Sequence, residues 1–267
     1  MILSEKKQKW EKRMETKIFA FTGKGGVGKT SLSAAFIRLL SEAAPEKKIL
    51  AVDADPAVGL SAALGMEPET TLDNVRLRIA ENIDKGETSA AAELLSEAKF
   101  HLLDCIVERG NVSFLAIGRP EAAGCYCKVN AYLKQVIEAI SGNYDFVVID
   151  GEAGIEQINR RVLEHIHYLV LVTDASRKGL QVVETIRQVA RKLVACEKSG
   201  VIVNRAPEGF RPDMPDLLAV IGEDRDQCAN DMNGESVFAL AEDSPLYRGA
   251  KEALRKLLPE DAGYAPV

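Results

Sequence analysis

Eight consecutive residues, Gly23-Lys24-Gly25-Gly26-Val27-Gly28-Lys29-Thr30, fit the spacing G-x-x-x-x-G-K-[ST]. Each residue type has a use. Glycines let successive backbone N–H groups turn inward into an anion nest, and a following helix adds its positive end, with Ser31 in its first turn. Lys29 then reaches the β/γ-phosphates of a nucleotide and the Thr30 hydroxyl ligates Mg²⁺. A glycine turn without a ligand is the competing reading, and the strand before the motif and helix after it argue against it. Lys24 is a second lysine inside the loop, which by itself reads as a solvated loop lysine.

Further candidates lie at the ends of apolar runs. Val52-Asp53-Ala54-Asp55-Pro56 closes one run, Val147-Val148-Ile149-Asp150 another, and Asn204-Arg205 follows GVIV. Taken singly, each is equally a strand-end polar residue or a helix cap. Cys125-Tyr126-Cys127 precedes a helical stretch, and cysteines at i and i+2 can aim two thiolates at one soft-ligand metal ion. Two ligands leave a tetrahedron half built, which the same loop of a second copy across a two-fold axis would complete; from spacing alone, two small apolar residues in a turn fit as well. His165 and His167 read as a polar pair at a helix end, and Cys105, Cys196 and Cys228 as isolated structural cysteines.

The elements that must hold these residues alternate. KIFAFT, KKILAVD, NVSFLAIG, YDFVVID, HYLVLVTDA and GVIVNR read as strands, and FALAED as a last one. Helical spacing marks TSLSAAFIRLL, a stretch from about residue 129 to 140, LQVVETIRQVARKLVA and LYRGAKEALRKLL. Apolar strands alternating with helices predict an α/β fold, a doubly wound and mainly parallel sheet of about seven or eight strands with helices on both faces. Within residues 66–105 the reading gives a helix over SAAAELLSEA and a short strand near LLDCIVE, while residues 207–234, rich in Pro, Asp and Gly, read as loop. Residues 1–16 are expected to be a disordered extension, with Met14 a candidate start, and 17–267 a single P-loop ATPase domain.

Charge and composition narrow the class. With 34 Lys+Arg against 40 Asp+Glu the net charge is −6, which lacks the basic excess that a general nucleic-acid binder needs. No run approaches the ~20 apolar residues of a membrane span, and the charged N-terminus has no apolar signal core. Five cysteines without such a signal do not form a disulfide framework in 267 residues. The expectation is a cytoplasmic protein with no nucleic-acid and no membrane partner.

The form K-G-G-x-G-K-T, followed in order by the DADP, VVID and Asn-Arg segments, resembles the deviant Walker A ATPases, the group of MinD, ParA, the nitrogenase iron protein and metallocluster-maturation ATPases. The resemblance spans roughly residues 17–258 and implies a homodimer that binds ATP or ADP with Mg²⁺. By it, Lys24 crosses the interface to the partner's phosphates, Asp53 lies near the metal, and Asp55 orients or deprotonates the attacking water. Asp150 holds Mg²⁺ through water, and Asn204 with Arg205 reads the adenine. Cys-x-Cys and the string Ile149-Asp150-Gly151-Glu152-Ala153-Gly154-Ile155-Glu156 are similar to the CooC-type branch, which inserts nickel into carbon monoxide dehydrogenase or acetyl-CoA synthase. That branch implies Ni²⁺ or Zn²⁺ on Cys125 and Cys127 at the dimer interface and a client nickel enzyme. The chain departs from it at Tyr126, Lys128, Ala57 and Val58. Two other activities compete: an iron–sulfur carrier or redox ATPase, and a spatial organiser of MinD or ParA type.

Overall fold

A strand that is apolar on both faces must be covered on both, and the sheet here is built from such strands. The computed structural model describes residues 16–84, 103–118, 137–138, 140–152, 165–193 and 195–258. In chain order the strands are β1 (Lys17–Gly23), β2 (Ile49–Asp53), β3 (Ile106–Arg109), β4 (Val112–Ala116), β5 (Phe146–Asp150), β6 (His165–Thr173), β7 (Ala195–Val203) and β8 (Leu217–Val220). They form one eight-stranded sheet in the order β3-β4-β2-β5-β1-β6-β7-β8. Every pairing is parallel except β3 with β4 at the edge. β2, β4 and β5 are buried at every residue, as a strand with helices above and below requires.

The helices are α1 (Lys29–Ala43), α2 (Gly59–Leu64), α3 (Leu72–Asp84), α4 (Arg177–Leu193), α5 (Arg225–Asn233) and α6 (Pro245–Leu257). One face of the sheet packs Phe19, Phe21 and Phe114 against Phe36 and Leu40 of α1 and Ala250, Leu254 and Leu257 of α6. The opposite face buries Leu50, Val147, Ile149 and Leu171 against Val183, Ile186 and Ala190 of α4. In α6, Leu246, Ala250, Ala253, Leu254 and Leu257 face inward, as their spacing predicts, and Ser244 caps the helix by accepting from the Tyr247 N–H. Arg38 of α1, 5% exposed, donates to the carbonyls of Val237 and Leu240 and to Glu42, and lies over the Tyr247 ring. One buried guanidinium thus ties α1 to the segment before α6.

Several expectations need correction. FALAED is not a strand: Val237–Ala239 is a 3₁₀ turn, with Val237 and Leu240 buried three residues apart. Residues 207–234 are not all loop. They contain β8, whose Leu218 and Ala219 are buried, and α5, capped by the Asp224 side chain. The histidine pair lies in β6 rather than at a helix end, and buried His167 accepts through Nδ1 from the Ile18 N–H. Cys105 is buried and Cys196 half-buried, but Cys228 is exposed on α5 rather than structural. Residues 1–15, the SAAAELLSEA segment, Cys125 and Cys127, most of 129–140, and Ala153–Glu156 lie outside the described residues. Thr16 donates through its hydroxyl to the Tyr144 carbonyl at 2.9 Å.

Candidate nucleotide site

Parallel strands present their C-terminal ends along one edge, and the polar residues singled out by the sequence gather there. β1 delivers the glycine loop between β5 on one side and β6 on the other. Gly23 ends β1 with φ 154°, and a Cβ there would lie 2.0 Å from the Val172 carbonyl oxygen of β6, so the loop leaves the sheet where only glycine fits. Gly28, with φ 89°, is the N-cap of α1, and a Cβ on it would meet Asn204 Nδ2 at 2.5 Å. Among the described residues no side chain caps α1. Its first N–H groups are therefore open to an anion arriving at the loop.

The two lysines separate. Lys29 is buried, and its Nζ donates to the Lys24 carbonyl at 3.2 Å, inside the loop. Lys24 is engaged outside it, its Nζ 2.7 Å from Oδ2 of Asp174, just beyond β6. Asn204 follows β7, is 5% exposed, and donates through Nδ2 to the Val27 carbonyl at 2.8 Å. Arg205, with φ 53°, donates to the Gly26 carbonyl at 3.2 Å. Both residues brace the glycine loop from the side. A cleft of about 720 Å³ opens next to Arg205, lined by Ala206, Pro207, Arg211, Gly222 and Arg225 among others.

On the other side of the loop, Asp53 of β2 and Asp150 of β5 are register partners and both are fully buried. Burial pushes the Asp53 carboxyl up to about 7, with the Asp150 charge adding to it and the N–H groups of Leu60 and Asp55 opposing. Those N–H groups donate to Asp53 at 2.8 and 3.0 Å. Burial likewise raises Asp150 to about 6 against the opposing effects of the Thr30 and Ser33 hydroxyls and the Lys29 ammonium. Ser33 Oγ donates to Asp150 Oδ1 at 3.1 Å, while Oδ2 is buried and accepts no hydrogen bond of ordinary geometry from any described residue.

This carboxylate pair with the Thr30 hydroxyl is a hard-oxygen donor set, and its orphaned buried oxygen fits Mg²⁺, which keeps much of its water and takes few protein ligands. Among the described residues no cluster of three or more His, Cys, Asp or Glu could hold a metal by itself. Asp55 accepts from the Ala57 N–H at 2.9 Å, starting a turn in which Val58 adopts φ 50° and caps α2. That turn brings Gly59 against Thr30, a Cβ on it falling 3.5 Å from Thr30 Cγ2, so the DADP segment touches the end of the phosphate loop.

Of the predicted residues, those from Gly23 to Ser31 with Asp53, Asp55, Asp150, Asn204 and Arg205 therefore converge on one edge. Asp174 and Ser33 were not read from the sequence. Asp174 had a signal, since it follows an apolar strand just as Asp150 closes one and Asn204 follows another.

A glycine loop from a central parallel strand to an uncapped helix, with two aspartates at neighbouring strand ends, defines a P-loop ATPase. The chain belongs to the AAA domain family (AAA_31), which it matches over residues 15–198. An uncharacterized ATP-binding protein of Methanocaldococcus jannaschii is 32% identical over 90% of this chain and 98% of its own. The carbon monoxide dehydrogenase accessory protein CooC of Rhodospirillum rubrum is 29% identical over 91% and 97%. Among solved structures, the septum site-determining protein MinD of Pyrococcus horikoshii, complexed with Mg-ADP, superposes with a TM-score of 0.65 at 27% identity, covering 90% of this chain and 95% of its own. No described helix is long and apolar enough to cross a membrane.

Proposed function

We propose that this ATPase works as a homodimer that couples ATP binding and hydrolysis to delivery of nickel into a client metalloenzyme of the carbon monoxide dehydrogenase or acetyl-CoA synthase kind. The observation that carries the reading is the pairing of a CooC-like chain with Cys125-Tyr126-Cys127 in the connection between β4 and β5. In the nucleotide site, the loop N–H groups and Lys29 hold the phosphates, the cleft beside Arg205 takes the base, and Asp55 orients the attacking water and receives its proton. Thr30, Asp53 and Asp150 would hold Mg²⁺, which neutralises charge building on the phosphates. Lys24 supplies positive charge to the phosphates of the other subunit, an interaction strongest in the transition state. Cys125 and Cys127 of two subunits would form one Cys₄ site for Ni²⁺ or Zn²⁺ as cargo, present only in the dimer.

Two measurements test this. Lys29→Ala should abolish nucleotide binding, whereas Lys24→Ala should bind ATP and lose most hydrolysis; equal turnover in Lys24→Ala and wild type refutes the role of Lys24. Equilibrium dialysis with Ni²⁺ and Zn²⁺ should find one ion per dimer, lost in Cys125→Ser and Cys127→Ser while nucleotide binding persists. One ion per monomer rules out the shared site, and a brown protein with four irons per dimer supports an iron–sulfur carrier instead. The likeness to MinD and the exposed Arg248 and Arg255 of α6 favour a second reading, a spatial-organising ATPase. ATP-dependent sedimentation with anionic vesicles would support it.

A further inference from the structure

Asp174 is a carboxylate made ready for a cation. Its Oδ1 accepts from both the N–H and the hydroxyl of Ser176, and the Ser176 hydroxyl in turn accepts from the Gly179 N–H in the first turn of α4. That leaves Oδ2 for Lys24 Nζ at 2.7 Å. Gly179 makes room for this arrangement, because a Cβ there would lie 2.2 Å from Asp174 Oδ1. The carboxyl is held below the usual carboxylate range, first by the hydrogen bond from Lys24 and then by that from Ser176. The lysine is also tethered at its other end, since its carbonyl accepts from Lys29 Nζ.

An ammonium cannot sit on Asp174 and reach across to a second subunit at once. We propose that Asp174 is a positioning residue that holds Lys24 within its own subunit, so that the phosphates of the partner's nucleotide must displace it before the dimer closes. The inference rests on the reading that Lys24 acts across a dimer. In it, the ion pair raises the protein concentration needed for dimerisation, keeping ATP-bound monomers apart, and Ser176 keeps the carboxylate aimed.

The magnitude follows from exposure. Both side chains are 32% exposed, so water screens the pair, and pairs of this kind are worth ~1.4-fold to ~5-fold in an equilibrium constant. Two are broken per dimer, giving ~2-fold to ~25-fold in the dimer dissociation constant. Sedimentation velocity of the full chain with Mg-AMPPNP measures that constant directly. Asp174→Asn should lower it by that factor, with the advantage over wild type shrinking as salt rises. Ser176→Ala should act in the same direction and more weakly, and it carries the test if Asp174→Asn melts early.

In a Lys24→Ala background, Asp174→Asn should change nothing, which a merely structural role for Asp174 would not produce. An unchanged or raised dissociation constant in both variants overturns the inference, as does an effect that survives in Lys24→Ala. If the wild type and every variant stay monomeric with nucleotide, the dimer reading falls and takes the inference with it. A wild-type dimer indifferent to Asp174 and Ser176 refutes the inference alone.

Discussion

Asp53→Asn in the absence of Mg²⁺ and nucleotide should change stability with a sign that depends on pH. The Asp53 carboxyl is 0% exposed and is pushed by burial, and then by Asp150, from 3.8 up to about 7. Below pH 3.8 folded and unfolded chains both carry the proton, and the residue contributes nothing. Between pH 3.8 and 7 only the unfolded chain ionises, so the folded state loses ~1.4 kcal/mol per pH unit. Above pH 7 the loss levels off at ~4 kcal/mol. Asparagine removes this loss at every pH. It also has one acceptor oxygen for the two N–H groups of Asp55 and Leu60 that Asp53 satisfies. Leaving one of those buried donors unmet costs ~1–3 kcal/mol regardless of pH.

The variant should therefore be less stable than wild type by ~0.5–2.5 kcal/mol at pH 4 and more stable by ~1–3 kcal/mol at pH 8, the two curves crossing between about pH 4.5 and 6. Urea unfolding followed by circular dichroism in EDTA at pH 4.5, 6 and 8 measures the difference. A constant offset across that range would refute the reasoning, because it would mean that Asp53 ionises equally in both states. The same chemistry makes the wild type gain more from Mg-nucleotide at pH 8 than at pH 5.5, since protons compete with the metal below pH 7.

Gly28→Ala should weaken ATP binding at least tenfold and lower stability by ~1–3 kcal/mol, because alanine is strained at a positive φ and its Cβ would collide with Asn204 Nδ2; isothermal titration and thermal melting check both. Iodoacetamide at pH 8 should label Cys228 quickly and Cys105 only on unfolding, since Cys228 is exposed and burial pushes the Cys105 thiol up to about 11. Peptide mapping reads the order, and equal labelling of the two in the native chain would contradict it.

The phosphate loop was legible because its chemistry is local. Eight adjacent residues specify glycine conformations, a lysine and a hydroxyl, and the flanking periodicities place them at a strand-to-helix turn. Asp53 and Asp150 were legible for a related reason, as each closes an apolar run that only a buried strand explains. Where the sequence misled, local pattern and tertiary packing disagreed. FALAED alternates enough to pass for a strand, yet its buried positions Val237 and Leu240 keep the spacing of a 3₁₀ turn, and Arg38 holds the carbonyls of those same two residues from 199 and 202 residues away. β8 is four residues long and sits among Pro215, Asp216 and Gly222, so composition concealed it until pairing with β7 supplied its hydrogen bonds. α5 buries none of its residues and shows no apolar stripe; its one signal was Asp224 as N-cap. Asp174 is separated from Lys24 by 150 residues, and no spacing rule joins them.

The row of strand ends also explains why the two lysines of one loop have different surroundings. Read across the sheet, the C-terminal ends of β2, β5, β1, β6 and β7 lead to Asp53, Asp150, the glycine loop, Asp174 and Asn204. On the β5 side the two carboxylates are buried together, raised to about 7 and about 6, and have the buried Lys29 for local positive charge. That side attracts further cation, which a metal with nucleotide phosphate would deliver. On the β6 side the carboxylate is part-exposed, satisfied by Ser176 and already paired with Lys24. A lysine on the buried side cannot leave without stranding charge in a low-dielectric site. One on the exposed side exchanges its partner at a cost of ~1 kcal/mol or less. The asymmetry of the sheet edge holds Lys29 inside its own loop and leaves Lys24 on a partner it can exchange, the division that the proposed dimer mechanism requires.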